Sequence, residues 1–129
     1  MTTPEKHLVL CIDDERIGLR VRKLLLEGAG YEVLTAPDGP SGLASFDAHP
    51  VEAVLLDFSM PGMDGGEVAA QMRSRKPEVP ILLLSAYVGL PAEIDGLVDG
   101  YLTKADDAGT LLARLQNLLP TPSAARGPS

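Results

Sequence analysis

The stretch VEAVLLDFSMPGMDG, residues 51–65, decides the fold. Its apolar run, 51–56, has the near-continuous hydrophobicity of a strand that is covered on both faces of a parallel sheet. Asp57 follows the run at once, before a Met-Pro-Gly turn. Asp64 then has the character of a helix N-cap, with Glu67 three residues later to complete a capping box. The segment therefore predicts a buried strand, an acidic residue at its end and a capped helix.

Four more apolar runs lie on either side of this segment, and helical patterns separate them. The predicted strands are 8–12, 31–35, 51–56, 81–84 and 100–103. Alternation of this kind implies right-handed βαβ units, and therefore an α/β fold with a doubly wound, five-stranded parallel sheet.

The helical patterns differ in strength. The first has apolar residues at i, i+4, i+7 and i+8, which predicts one buried face. These residues are Ile17, Val21, Leu24 and Leu25. Residues 39–47 form a weaker pattern, with Pro40 in the first turn. The last helix carries a leucine stripe and can be capped by Asp106 or Asp107. The stripe consists of Leu111, Leu112, Leu115, Leu118 and Leu119.

Length and composition bound the function. The chain has 129 residues, 45% of them apolar, which suits one compact domain, expected over residues 6–119, with 120–129 as a flexible tail. A net charge of −7 argues against nonspecific binding to nucleic acid. No apolar run approaches the roughly 20 residues that span a bilayer, so no membrane contact is expected. The lone Cys11 suits a reducing compartment, and we expect a cytoplasmic protein.

Polar residues directly follow four of the predicted strands. Asp13 and Asp14 follow the first, Asp57 the third, Ser85 the fourth and Lys104 the fifth. Because ligand sites of open α/β sheets lie beyond the carboxyl ends of the strands, these groups should share one rim.

The chemistry of such a rim is restricted. Neighbouring carboxylates repel one another, and hard oxygen ligands on an open rim suit Mg²⁺, which also accepts phosphate oxygens. A metal ion, an ammonium group and a hydroxyl around one aspartate would stabilise a phosphoryl group in transfer. Asp57 is then the natural nucleophile, and it would form an aspartyl phosphate.

Each of these residues also has an ordinary structural explanation. Asp13 and Asp14 could cap a helix, and Asp57 could belong to a turn. Ser85 could bond to the backbone, and Lys104 could be a solvated surface lysine. The phosphoryl-transfer hypothesis depends on all of them occurring together at the right strand ends.

Four segments together resemble a known family. The segments CIDDE (11–15), LLDFSMPGMDG (55–65), SA (85–86) and YLTK (101–104) are similar to those of the response regulator receiver domain of two-component signalling. The resemblance covers about residues 6–119 and implies a flavodoxin-like (βα)5 fold with strand order 2-1-3-4-5.

The resemblance implies a magnesium site and a phosphoacceptor. Asp57 would accept the phosphoryl group, and Lys104 would grip it. Asp14 would bind Mg²⁺ directly, together with Asp57 and the backbone carbonyl of Ser59, while Asp13 would act largely through water. Mn²⁺ can substitute for Mg²⁺ in such a site.

The resemblance also implies a switch and residues that set the lifetime of the phosphorylated state. Ser85 would swing toward the phosphoryl group, and Tyr101 would turn inward behind it. Ser59 and Tyr87 would flank the attacking water. Neither supplies an acid or amide to position that water, so a long lifetime is expected.

The chain departs from the family pattern in two places. The family usually has Lys-Pro with a cis bond where this chain has Lys104-Ala105, and a cis bond before a non-proline residue costs about 3 kcal/mol, so a trans bond is expected. The interval from Ser85 to Lys104 is shorter than usual by about one helical turn. It predicts a shortened fourth helix that begins near Pro91.

These observations predict a single-domain response regulator. It would receive the phosphoryl group from a histidine kinase or a phosphotransfer protein and signal by binding a downstream protein. It would not be an enzyme in its own right, since Ser59 stands where aspartyl-phosphate phosphatases of the haloacid dehalogenase type carry their general acid. Two alternatives stay open: a phosphorylation-independent binding module on the same fold, and a receiver fragment of a longer regulator.

Overall fold

We describe the fold from a computed structural model, which covers residues 6–86 and 92–119 apart from the side chain at 93. The strands are Leu8–Ile12 (β1), Glu32–Ala36 (β2), Ala53–Asp57 (β3), Ile81–Ser85 (β4) and Gly100–Thr103 (β5). The helices are Arg16–Gly28 (α1), Gly39–Ala48 (α2), Gly65–Arg75 (α3), Ala92–Asp95 (α4) and Ala108–Leu118 (α5). The predicted alternation of strands and helices is confirmed.

The five strands form one parallel sheet in the order β2-β1-β3-β4-β5. This is the doubly wound receiver fold that the sequence predicts. Strands β1, β3 and β4 are buried along their whole length. Strand β2 lies at the edge, and its Glu32 and Thr35 are exposed, so the expectation of cover on both faces is wrong for this strand.

Two hydrophobic clusters fill the two sides of the sheet. Alternate residues of a strand point to opposite faces, so Leu10 of β1 enters one cluster and Val9 the other. Helices α2, α3 and α4 cover the first side, and α1 and α5 cover the second. On the first side Gly42 is needed for close packing, because a Cβ there would lie 2.4 Å from Cδ1 of Ile12.

The predicted buried face of α1 is wrong for Ile17, Val21 and Leu24, while the fourth predicted residue, Leu25, packs against the core. Ile17, Val21 and Leu24 are 82%, 58% and 61% exposed, whereas Leu19 and Leu26 are buried. Apolar residues occur on both sides of this helix, and only packing against the sheet selects the side that is buried. The structure therefore leaves an exposed apolar face on α1.

The predicted helix caps are confirmed for α3 and resolved for α5. Asp64 and Glu67 form the reciprocal capping box of α3. Asp107 caps α5 by accepting a hydrogen bond from the Thr110 amide, while Asp106 accepts one from the Thr103 amide in the turn before it.

Among the described residues, the fourth helix spans Ala92–Asp95, and its shortening stays a prediction. Its expected start near Pro91 lies outside the described residues, as does the expected tail at 120–129. No helix in 6–86 or 92–119 is long and apolar enough to cross a membrane.

Candidate functional site

The carboxyl ends of the strands bring three aspartates together. Asp13 and Asp14 directly follow β1, and Asp57 is the last residue of β3, beside it in the sheet. One carboxylate oxygen from each of the three residues lies within 4.8 Å of the other two. Asp13 and Asp57 are each 1% exposed, and Asp14 is exposed. The rim therefore has a buried floor and one carboxylate that faces solvent.

The turn after Asp57 packs tightly against the strand end. The Gly65 amide donates a 2.8 Å hydrogen bond to the carbonyl of Phe58. A Cβ at Gly65 would lie 2.7 Å from the Phe58 Cα and 2.8 Å from the Asp57 carbonyl oxygen. Only glycine allows this approach, which holds the start of α3 against the acidic rim.

Lys104 reaches across the rim from the end of β5. Its Nζ lies 3.1 Å from Oδ1 of Asp57, 3.2 Å from Oε1 of Glu15 and 3.4 Å from Oδ2 of Asp13. Its amide donates a 2.7 Å hydrogen bond to the Ser85 carbonyl, which ties β5 to the end of β4. The described part of the chain contains no cis peptide, so the Lys104-Ala105 bond is trans, as predicted.

Asp57 carries its charge in an unfavourable setting. Burial raises its pKa to about 6, Lys104 opposes this shift and the Asp13 carboxylate adds to it. Oδ2 of Asp57 has no hydrogen-bond donor among the described residues. For Lys104, burial disfavours the charged form, but the surrounding carboxylates outweigh this effect and raise the Lys104 pKa. The described groups thus leave Asp57 only partly neutralised.

Asp13 does not act as a helix cap. Helix α1 has Glu15 at its N-cap position, with no side-chain cap hydrogen bond. Instead, Oδ2 of Asp13 forms a close ion pair with Nη2 of Arg22, on α1, in addition to its contact with Lys104. Sequence reasoning missed Arg22 because it assigned the wrong buried face. Arg22 lies three residues after Leu19 and four before Leu26, which are the buried positions.

The remaining predicted site residues lie in three different settings. Ser85 is 1% exposed at the end of β4, within the same rim, and Tyr101 is half-buried and packs against the α2–α3–α4 side of the core. Ser59 is exposed just after β3. Tyr87 lies outside the described residues. The predicted switch and lifetime roles of these residues stay predictions.

The rim fits a divalent cation. It offers three carboxylates, which are the hard oxygen ligands that Mg²⁺ prefers, and one buried oxygen without a donor. Asp14 faces solvent, which leaves the site open to water and to phosphate oxygens.

A parallel five-stranded sheet with an acidic rim, a lysine and a buried hydroxyl defines the receiver class of signalling domains. The chain belongs to the response regulator receiver domain family, whose model matches residues 9–116.

Curated relatives are longer than this chain. The sensory transduction protein RegX3 of Mycobacterium bovis is 37% identical over 117 residues, which cover 86% of this chain and 50% of that protein. The transcriptional regulatory protein CseB of Streptomyces avermitilis is 34% identical over 128 residues, which cover 97% of this chain and 54% of that protein. The chain thus spans about half the length of these relatives.

Solved structures of similar size share the fold. The chemotaxis protein CheY4 of Vibrio cholerae is 32% identical, with a TM-score of 0.83 over 89% of this chain and 100% of that one. The response regulator TrrA of Thermotoga maritima, solved in complex with Mg²⁺-BeF, is 32% identical, with a TM-score of 0.83 over 88% of this chain and 99% of that one.

Proposed function

We propose that Asp57 accepts a phosphoryl group from a histidine kinase or phosphotransfer protein and that the phosphorylated domain signals by binding another protein. The observation that carries this proposal is the setting of Asp57, a buried carboxylate amid two other carboxylates and 3.1 Å from the Lys104 ammonium. A carboxylate that only shaped a turn would not need two neighbouring carboxylates and an ammonium group beside it.

In the proposed step an oxygen of Asp57 attacks the phosphorus of the donor. The phosphorus–nitrogen bond of a phosphohistidine breaks, and its electron pair leaves with the imidazole. Asp14, Asp57 and the Ser59 carbonyl would hold Mg²⁺, with Asp13 acting through water, and the ion would supply charge stabilisation to the phosphoryl oxygens. Lys104 neutralises a further phosphoryl oxygen. With a pKa of about 6, Asp57 is still mainly ionised near neutral pH and can act as the nucleophile.

The signal would leave the site through Ser85 and Tyr101. Ser85 lies on β4 and Tyr101 on the neighbouring β5, and a new charge at Asp57 would favour an inward movement of the two side chains. Ser59 and Tyr87 would set the lifetime of the phosphorylated state.

We further propose that the protein is cytoplasmic and that this acidic domain makes no direct contact with membranes or nucleic acid. The domain would catalyse only its own phosphorylation and dephosphorylation.

The exposed face of α1 is the proposed contact surface for the phosphodonor. It begins directly after the acidic rim, and basic residues flank its apolar side chains, in a chain with a net charge of −7. The flanking residues are Arg16, Arg20 and Lys23. We therefore expect a donor surface that combines apolar and acidic side chains.

The test uses acetyl phosphate with Mg²⁺ and follows the intact mass of the protein. Wild type should gain one phosphoryl group, and EDTA or Asp57→Asn should abolish the gain. Asp47→Asn, which removes an exposed carboxylate on α2, is the matched control and should be labelled normally. Undiminished labelling of Asp57→Asn would reject the proposed acceptor. No labelling of wild type would favour the phosphorylation-independent binding module.

A further inference from the structure

Arg22 is a second cation at the acidic rim. Its side chain is only 16% exposed, and its Nη2 contacts Oδ2 of Asp13, the same oxygen that lies 3.4 Å from Nζ of Lys104. The phosphoryl-transfer chemistry proposed above makes no use of Arg22. Its burial distinguishes it from the solvated arginines elsewhere on α1, such as Arg20.

The Arg22 side chain lies over Gly18. Side chains of a helix lean toward its N-terminus, so Arg22 passes over the residue one turn earlier. A Cβ at position 18 would lie 3.4 Å from Nη2 of Arg22 and 3.6 Å from Nη1. The guanidinium thus lies along the helix over Gly18 and reaches Asp13.

The three carboxylates are not neutralised equally. Asp13 is buried and has two cations on one oxygen, whereas Oδ2 of Asp57 has no donor among the described residues and Asp14 is exposed to solvent. A buried carboxylate without a counter-ion is costly, so Arg22 stabilises Asp13 in the absence of metal. A divalent cation that enters beside these carboxylates would meet the positive charge of the guanidinium.

We propose that Arg22 is an internal competitor of the divalent cation. It neutralises Asp13 when the metal is absent and weakens Mg²⁺ binding, and it thereby raises the Mg²⁺ concentration at which Asp57 can be phosphorylated. Arg22 is a positioning residue, since it acts through Asp13. The inference rests on the proposed function only in that Mg²⁺ binds at these carboxylates.

The first test measures Mg²⁺ affinity directly, by calorimetric titration or amide chemical shifts, without any phosphodonor. Arg22→Gln should bind Mg²⁺ roughly 3- to 30-fold more tightly than wild type, because a positive charge near the cation is lost. Arg20→Gln removes the same charge from an exposed position on the same helix and should bind within about twofold of wild type. Arg22→Lys should stay closer to wild type than Arg22→Gln does. Equal or weaker binding by Arg22→Gln would overturn the proposal.

The second test distinguishes competition from a purely structural role. In EDTA, Arg22→Gln should melt at a lower temperature than Arg20→Gln, because Asp13 loses a buried counter-ion. Saturating Mg²⁺ should shrink this difference, since the metal then neutralises Asp13. An equal difference with and without Mg²⁺ would assign Arg22 a structural role and overturn the proposal.

If wild type bound no Mg²⁺, the metal site and this inference would both fail. If wild type bound Mg²⁺ but Arg22→Gln did not bind it more tightly, only the role of Arg22 would fail.

Discussion

At the scale of single residues, the setting of Asp57 makes its charged form costlier than that of an ordinary aspartate. Its side chain is 1% exposed, and burial is the main cause of its raised pKa, about 6 compared with a usual value of 3.8. Lys104 reduces the shift without cancelling it. A nucleophile in this state becomes easier to ionise when a cation approaches, which couples its reactivity to metal binding.

The raised pKa predicts a pH dependence of stability in EDTA. The folded protein holds the Asp57 proton more tightly than the unfolded chain does. The resulting contribution to the free energy of unfolding is therefore fully present below about pH 4 and is lost as pH rises through about 6. Urea unfolding of wild type and Asp57→Asn across this range measures it. The free energy of unfolding of wild type should fall relative to that of the variant as pH rises. Parallel profiles for the two proteins would contradict the assignment.

At the scale of elements, α1 shows which of two apolar faces the sheet covers. Leu26 is fully buried, and Leu24, two residues earlier, is 61% exposed. Leu26→Ala should therefore cost about 2–5 kcal/mol in the free energy of unfolding, as a truncation in a packed core does. Leu24→Ala, the matched control, should cost under about 0.5 kcal/mol. Chemical denaturation of both variants checks this, and similar costs would mean that α1 packs through another face.

The short fourth helix and the loop after it are tied to α3 by one arginine. Arg73 donates hydrogen bonds to the carbonyls of Leu97, at 2.9 Å, and Val79, at 3.1 Å, and it forms a close ion pair with Asp99. Asp99 in turn accepts a 2.8 Å hydrogen bond from the amide of Ile81, at the start of β4. One side chain thus joins three segments around the element that the sequence predicts to be short.

Removal of this link should destabilise the fold measurably. Arg73→Ala leaves partly buried carbonyls without a donor and should cost about 1–3 kcal/mol. Arg75→Ala breaks two exposed contacts, the ion pair with Asp47 and a hydrogen bond to Gln71, and should cost less than about 1 kcal/mol. Hydrogen exchange should locate the loss for Arg73→Ala at residues 92–100. Equal costs for the two variants would show that the contacts of Arg73 add little.

At the scale of the whole molecule, the core belongs to the predicted domain. Among the described residues, the clusters on both sides of the sheet are built from positions 8 to 119. The composition of residues 120–129 predicts a flexible tail, so a chain that ends at residue 119 should melt within about 2 °C of the 129-residue chain and should accept a phosphoryl group equally well. Calorimetry and intact mass test this. A large loss of stability would mean that residues 120–129 pack on the domain.

The order of the elements and the positions of the chemical groups along the chain could be predicted from local sequence. Short apolar runs separated by helical patterns favour strands of a covered parallel sheet, as β1, β3 and β4 prove to be, and polar residues directly after such strands lie at one rim. Asp13, Asp14, Asp57, Ser85 and Lys104 could be placed for this reason, since strand period and chain direction are local properties. The caps at Asp64 and Asp107 are local in the same sense.

The buried side of α1 and the cations that neutralise Asp13 follow from long-range packing instead. An apolar pattern with two candidate faces has no preference until the helix meets the sheet, so the exposure of Ile17, Val21 and Leu24 could not be predicted from spacing. In the sequence, nothing distinguishes Arg22 from the other basic residues of α1. It becomes the partner of a buried carboxylate only because packing turns Leu19 and Leu26 inward and carries the guanidinium over Gly18 to the rim. Ion pairs between distant segments depend on that rotation, which long-range packing sets and the local sequence does not.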